Sequence, residues 1–385
     1  MNILTLTSDF LPNVGGMATH AHELSKAHLQ NGHTVHLIHP VFGNEADRVE
    51  ELDGITVHKL FVNSSTPKIK HLLYISKVRK YILALMSEHP QDILHWHDLT
   101  PNCWTTYTLR NRIPLVWTNH TSNYLEYYET AAGKRKIKRY LGHPHAIISP
   151  SDELYQKSEA TGVRKDRLYF ISNGVDATKF KPGLSFGVLD KDYGLDIAKP
   201  IIICPRRLEP KNGVEYYIRS IPYVRHRHPD AQFLIVGGGW PEEKERFLGI
   251  LNDAGQEHGV VFTGNVPNTQ MPQFYAMSDI AALPSLMEAT SISGLEAMSS
   301  GLPLVGTKVG GIPQIIDDGN TGILVEPRNP EDLAAAFNDL LDVEERRKQL
   351  GAAARERVER EFSWLVISEK TAEVYRTVLE DQQKA

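Results

Sequence analysis

The chain has 385 residues, 41% hydrophobic and 23% charged, with two cysteines and a formal net charge of −5. That length fits two domains of ordinary size, and the composition is that of a soluble globular protein. It excludes a disulfide framework and argues against a general nucleic-acid binder.

Cys103 and Cys204, with no basic and apolar leader ahead of "MNILTLT", point to a reducing, cytoplasmic setting. No apolar run approaches the roughly 18 residues of a membrane span. The charge is uneven. Residues 1–185 carry 21 Lys+Arg against 17 Asp+Glu, and residues 186–385 carry 21 against 30. An anionic partner is therefore expected to meet the front half.

From the N-terminus, "NILTLT" reads as a strand, "SDFLPNVGG" as a loop, "MATHAHELSKAHLQNG" as a helix closed by Gly32, and "HTVHLIHP" as a second strand. The strand candidates "GITVHKLF", "DILHWH", "IPLVWTNH" and "HAIISPS" follow. A second series comprises "KPIIICPRR", "AQFLIVGGG", "GVVFTGN", "IAALPS", "LPLVGT" and "GILVEP". Strands alternating with helices predict parallel sheets covered on both faces. Two such series predict two doubly wound domains, joined at the polar stretch 181–200. The last helix, "SWLVISEKTAEVYRTVLED", has Leu365, Val366, Val374, Val378 and Leu379 on one stripe.

Ligands of doubly wound sheets bind at the carboxyl ends of strands. The unusual residues of this chain fall there: Gly15 and Gly16, His95 and His97, His120, Arg206 and Arg207, glycines 237–239, and Glu288. A cleft between two facing domains would collect them. In "LPSLMEATSISGLEAMSSG", Ser293 to Glu296 fits a capping box, with Ser293 as N-cap. On a second reading, the amides of Thr290, Ser291 and Ile292 face a phosphate at the helix N-terminus. Glu288 then stands before them and Glu296 one turn deeper, and a carboxylate beside a phosphate suits paired hydroxyls such as those of a ribose. Arg206 and Lys211, five residues apart, fit an anion clamp or a solvated basic turn. The glycine cluster alone is weak support for a phosphate loop.

A nicotinamide enzyme needs G-x-G-x-x-G in the first turn and an acidic residue after the second strand. Here the turn is "SDFLPNVGG" and the strand ends in His39-Pro40, so that class is set aside. "HWH" places His95 and His97 on one strand face with Asp98 adjacent, but no further Cys/His set is visible, so no metal is expected.

Together these residues resemble the retaining glycosyltransferases of family 4, of GT-B architecture. The resemblance runs through Gly15-Gly16, "TNH" ending in His120, "SNGVD" with Phe180, Arg206 and Lys211, "GNVP" at 264–267, the Glu288/Glu296 pair, "GLEAMSSGLPLVGTKVGG" and "TGILVEP". It implies two facing Rossmann-like domains: residues 1–185 on the acceptor side, with the helix from about 364 to 385 packed back on it, and residues 190–363 binding a nucleoside-diphosphate sugar. It also implies that Arg206 and Lys211 hold the diphosphate, Glu296 the ribose, and Glu288 with the 290–292 amides the sugar. Val266 would meet the base, Gly15 and Gly16 the phosphate, and His120 the sugar near its anomeric carbon.

The implied chemistry is metal-independent transfer to a hydroxyl acceptor, without a cofactor. A sugar phosphorylase, a nucleotide-sugar epimerase and a non-catalytic sugar-nucleotide-binding subunit are the alternatives. Departures from the family pattern are Ala289-Thr290-Ser291, where Gly-Phe-Gly is usual, and Gln314, where an acid is usual. The basic, partly apolar stretches 66–86 and 133–140 read either as ordinary helices with solvated cations or as a peripheral contact with anionic membrane.

Overall fold

The computed structural model describes residues 1–12, 16–63, 69–99, 101–120, 128–288 and 290–384. The chain divides into two units. Unit 1 comprises Met1–Gly174 and Trp364–Ala385, and unit 2 comprises Val175–Ser363. The polar stretch 181–200 thus belongs to unit 2, a few residues beyond the division.

Unit 1 carries β1 (Asn2–Leu6), β2 (Thr34–Phe42), β3 (Arg48–Leu52), β4 (Ile55–Val62), β5 (Ile93–Trp96), β6 (Leu115–Thr118), β7 (Ala146–Ser149) and β8 (Leu168–Phe170). They form one sheet in the order β3-β4-β2-β1-β5-β6-β7-β8. Only the edge pair β3–β4 is antiparallel. Two of these strands were not expected from the sequence. β3, "RVEEL", is exposed along nearly its whole length, and β8 has three residues, so neither shows a buried apolar run.

Unit 2 carries β9 (Ile201–Cys204), β10 (Gln232–Ile235), β11 (Val260–Phe262), β12 (Ile280–Leu283), β13 (Leu304–Thr307) and β14 (Gly322–Val325), all parallel, in the order β11-β10-β9-β12-β13-β14. A strand with a core on each face has to be apolar at every position. Along β9, Ile201 and Ile203 enter one core with Leu234, Ala281 and Leu283. Ile202 and Cys204 enter the other with Phe233, Ile235 and Ala282. Two period-2 faces, both buried, give the continuous run "IIIC".

In each sheet the first strand lies in the middle, and the chain builds outward first to one side and then to the other. The connections reverse between β1 and β5 in unit 1 and between β9 and β12 in unit 2. A crevice opens at the carboxyl edge of such a switch point.

The terminal helix, Trp364–Lys384, packs in unit 1 against the helix Gly16–Gln30. Ser368 Oγ meets His28 Nδ1 at 2.8 Å, and Tyr375 OH meets His95 Nδ1 at 2.6 Å. The buried stripe is Trp364, Ile367, Ser368, Thr371, Val374, Tyr375 and Val378. Of the residues expected on it, Val374 and Val378 are buried, Val366 and Leu379 only half-buried, and Leu365 is 47% exposed. It follows Trp364 by about 100° of helix rotation, and Trp364 is the residue turned inward.

Candidate functional site

β9 and β12 flank the switch point of unit 2, and each delivers a charged side chain there. The guanidinium of Arg206 donates through Nη2 to Ser285 Oγ at 2.6 Å and forms an ion pair with Glu288 Oε2. The two side chains are only 11% and 15% exposed. Burial brings the pKa of Arg206 down to about 10, so it remains a cation at neutral pH. A buried cation needs a counter-charge, and Glu288 supplies it. Arg206 Nε is buried and has no partner among the described residues, which leaves part of the donor fork unused. Arg207 turns outward, 64% exposed, and pairs with Glu209 at 3.0 Å.

Lys211 lies on the short 3-10 turn Pro210–Asn212, 43% exposed, with Glu209 Oε2 at 3.3 Å. Its carbonyl accepts from the amides of Leu286 and Met287 at 2.8 and 3.2 Å. Gly213 makes this latch possible. It has a φ of 66°, and a Cβ there would stand 1.9 Å from Pro284 O. The loop after β9 is therefore fixed to the loop after β12, and Arg206 and Glu288 are held from both sides.

The glycine cluster serves the same loop. Gly237 has a φ of 154°, and a Cβ on it would lie 2.4 Å from Arg206 O. The backbone after β10 thus runs against the backbone of the arginine. Gly238 N donates to Asn265 Oδ1 at 3.1 Å, next to Val266, which is partly buried against the core.

The helix Ile292–Ser299 is capped by Ser291, whose Oγ accepts from Gly294 N at 3.1 Å. This corrects the capping-box reading of Ser293 and Glu296. The helix starts two residues earlier than that box requires, so Glu296 lies past the first turn and cannot reach back to the cap. It is buried instead, with Oε2 accepting from Tyr275 OH at 3.1 Å. Thr290 and Ser291 are buried just before the first turn, and Ile292 is its first residue.

In unit 1, Gly16 opens the first helix, and Gly15 lies outside the described residues. His120 follows β6, with its Nε2 3.2 Å from His97 Nδ1. His95 bonds Thr118 Oγ1 and Tyr375 OH, both at 2.6 Å. Asp98 turns away from these histidines. Its Oδ2 accepts from Ser8 N, Ser8 Oγ and Asn102 Nδ2, and burial raises its pKa.

The sequence reading missed His20, which comes from the first helix with its ring centroid 4.2 Å from that of His120. Burial lowers the pKa of His20 to about 4 and holds His97 and His120 well below the usual range, so all three rings are neutral at pH 7. One compositional signal was available. All but three of the 17 histidines (His226, His228 and His258) fall in unit 1.

Two doubly wound units, each with its charged or histidine-rich residues at strand carboxyl ends, define the GT-B class. The chain is similar over 99% of its length to all of sucrose-phosphate synthase from Thermosynechococcus elongatus, with a TM-score of 0.81 and 20% identity. The Anabaena protein HepE, solved in complex with UDP and glucose, gives 0.78 and 20%, over 98% of this chain and all of that one.

Residues 14–179 match the family model for glycosyltransferase family 4, and residues 188–357 match that for glycosyl transferases group 1. The chain belongs to the family 4 glycosyltransferases and is an enzyme that transfers sugars. It is 27% identical to an uncharacterized glycosyltransferase of Methanocaldococcus jannaschii over 99% of both chains. It is 32% identical to a GDP-mannose-dependent alpha-(1-6)-phosphatidylinositol monomannoside mannosyltransferase of Mycobacterium tuberculosis, over 54% of this chain and 56% of that one.

Proposed function

We propose that the enzyme moves a sugar, with retention at the anomeric carbon, from a nucleoside-diphosphate sugar to a hydroxyl acceptor, and that the transfer itself uses no metal. The observation that carries this reading is Arg206. It is a desolvated cation at the switch point, set by Glu288 and Ser285, and its Nε is unsatisfied. A diphosphate oxygen would complete its fork.

Arg206 and Lys211 neutralise the charge that grows on the leaving diphosphate, the part a metal plays elsewhere. The amides of Thr290, Ser291 and Ile292 add the positive end of a helix. Glu296, steadied by Tyr275, accepts from the ribose hydroxyls. Glu288 accepts from the sugar, Val266 meets the base through its backbone, and Gly15 and Gly16 approach the phosphate. His120 hydrogen-bonds the sugar. The acceptor attacks the face the diphosphate leaves, and a phosphate oxygen takes the acceptor's proton.

The names of relatives support the donor class. HepE was solved with UDP, and the mycobacterial relative is GDP-mannose-dependent. The test is a thermal-shift screen of UDP-, GDP- and ADP-sugars. A donor at 100 times its Kd adds about 2.7 kcal/mol of stability. The stabilising donor should then release nucleoside diphosphate only when an acceptor is present, and the product anomer should match that of the donor. Inversion, or release that depends on added divalent metal, overturns the reading.

A second reading concerns the acceptor. Ile69, Leu72 and Leu73 are 42%, 67% and 42% exposed at the start of the helix Lys70–Glu88. The helix Ala131–Tyr140 exposes Lys134, Arg135, Lys136, Lys138 and Arg139. Apolar and basic groups of this kind suit an anionic membrane surface, and a lipid-linked acceptor would be found there. No helix among the described residues is long and apolar enough to cross a membrane.

A further inference from the structure

His20 Nδ1 lies 2.8 Å from Asn173 Oδ1. A carboxamide oxygen only accepts, so Nδ1 carries the proton and Nε2 is left as a lone pair. That Nε2 is buried, on a residue only 3% exposed, and it has no hydrogen-bond partner among the described residues. A buried acceptor without a donor is costly unless something takes its lone pair. Two further imidazoles stand beside it. One ring nitrogen each of His20, His97 and His120 lie within 4.8 Å of one another, and His97 Nδ1 and His120 Nε2 are 3.2 Å apart.

Nitrogen ligands at roughly 2.0–2.1 Å from a tetrahedral metal are separated by about 3.3–3.4 Å. The His97–His120 spacing is already close to that edge, and the nitrogen of His20 lies within 4.8 Å of both. We propose that His20, His97 and His120 form a three-imidazole site for a divalent transition metal ion of the zinc type, with the fourth position open. Asn173 fixes the tautomer and orientation of His20 from behind, the usual part of an outer partner to a metal-bound histidine. His120, the partly exposed member, offers the way in. The set is all nitrogen, which suits Zn2+ and not Mg2+ or Ca2+.

The functional consequence rests on the donor role of His120 proposed above. We take the sugar contact to be made through His120 Nε2, the nitrogen that faces His97, and a nitrogen bound to metal cannot also hydrogen-bond the sugar. The ion is therefore a brake on transfer and no part of its chemistry.

The test uses the untagged full-length chain, stripped with chelator and titrated with Zn2+ against a chromophoric chelator. One equivalent should bind, and Mg2+ should not compete. His97→Gln and His120→Gln should abolish stoichiometric binding, and Asn173→Ala should weaken it roughly 10–100-fold. His226→Gln, at an exposed position in unit 2, should leave it unchanged. Co2+ bound to the wild-type chain should show the intense visible bands of a four-coordinate ion, a readout that no variant's folding can confuse. Sub-stoichiometric Zn2+, binding indifferent to the histidine variants, or a six-coordinate Co2+ spectrum overturns the site. In a parallel assay, Zn2+ should suppress turnover and excess donor should relieve it. Stoichiometric Zn2+ with turnover unchanged would leave the site standing and overturn the donor role of His120 instead.

Discussion

Arg206 has exchanged most of its water for Ser285 and Glu288, and that exchange sets what each substitution should do. Arg206→Ala removes a charge that matters most when the diphosphate departs, and it strands Glu288. We expect kcat to fall roughly 10²–10³-fold, the usual cost of one such stabilising donor, and Lys211→Ala to fall in the same direction. Glu296→Ala removes a contact made equally in the ground and transition states. It should raise the donor KM and spare kcat. Tyr275→Phe should follow it more weakly, by roughly fivefold, the worth of about 1 kcal/mol. Steady-state kinetics on the four variants reads the contrast. The charges themselves were legible in the sequence as ionisable residues just after apolar runs. Their partners were not, because Arg206 and Ser285 lie 79 residues apart and no local pattern joins them.

At the scale of elements, the cap of the helix Ile292–Ser299 gives a sharp check. Ser291→Ala should cost about 1 kcal/mol in urea unfolding, the usual worth of an N-cap, and Ser293→Ala much less. The reverse order would restore the capping-box reading. The sequence reading took Ser293, although Ser291 stands only two positions before it. A local motif cannot choose between them, whereas packing does. Gly294 needs its missing side chain, since a Cβ there would meet Leu283 Cδ1 at 2.6 Å. Gly213→Ala should damage donor binding more than overall stability, because it pushes the Lys211 loop off Pro284 and leaves the strands in place. The parallel strands were legible from their buried apolar runs. β3 was not, because an exposed antiparallel edge strand carries no such run.

Across the whole molecule, histidine burial sets a pH limit on unit 1. Burial lowers the pKa of His28 to about 3, and that of His58 and His143 to about 4. The unfolded chain takes up these protons from about pH 6.5 downward and the folded unit does not, so stability falls as pH drops from 6.5 toward 4. For the fully buried His28 the slope is about 1.4 kcal/mol per pH unit. Urea unfolding at pH 7.5, 6.5 and 5.5 should show a loss in the second step about three times that in the first. A flat profile would contradict the buried neutral histidines. The charge of the front half makes a separate prediction. Each basic residue near an anionic surface contributes about 1 kcal/mol. The chain should co-sediment with anionic vesicles at low salt and be released at high salt. A chain that stays in the supernatant at low salt counts against the membrane-surface reading and favours a free small molecule or glycan as acceptor.

What the sequence determined by itself was the alternation of two βα series and the chemistry waiting at their strand ends. Strands buried on both faces have to be apolar throughout, and the loops that follow them are the places where ligand-binding residues are tolerated. Only the tertiary structure decided which of those residues meet. In both sheets the first strand is central and its neighbours come from opposite directions along the chain. Glu288 therefore faces Arg206, Tyr375 reaches His95 across 280 residues, and His20 closes on His97 and His120. These contacts come from strand order in space, which no spacing along the chain encodes.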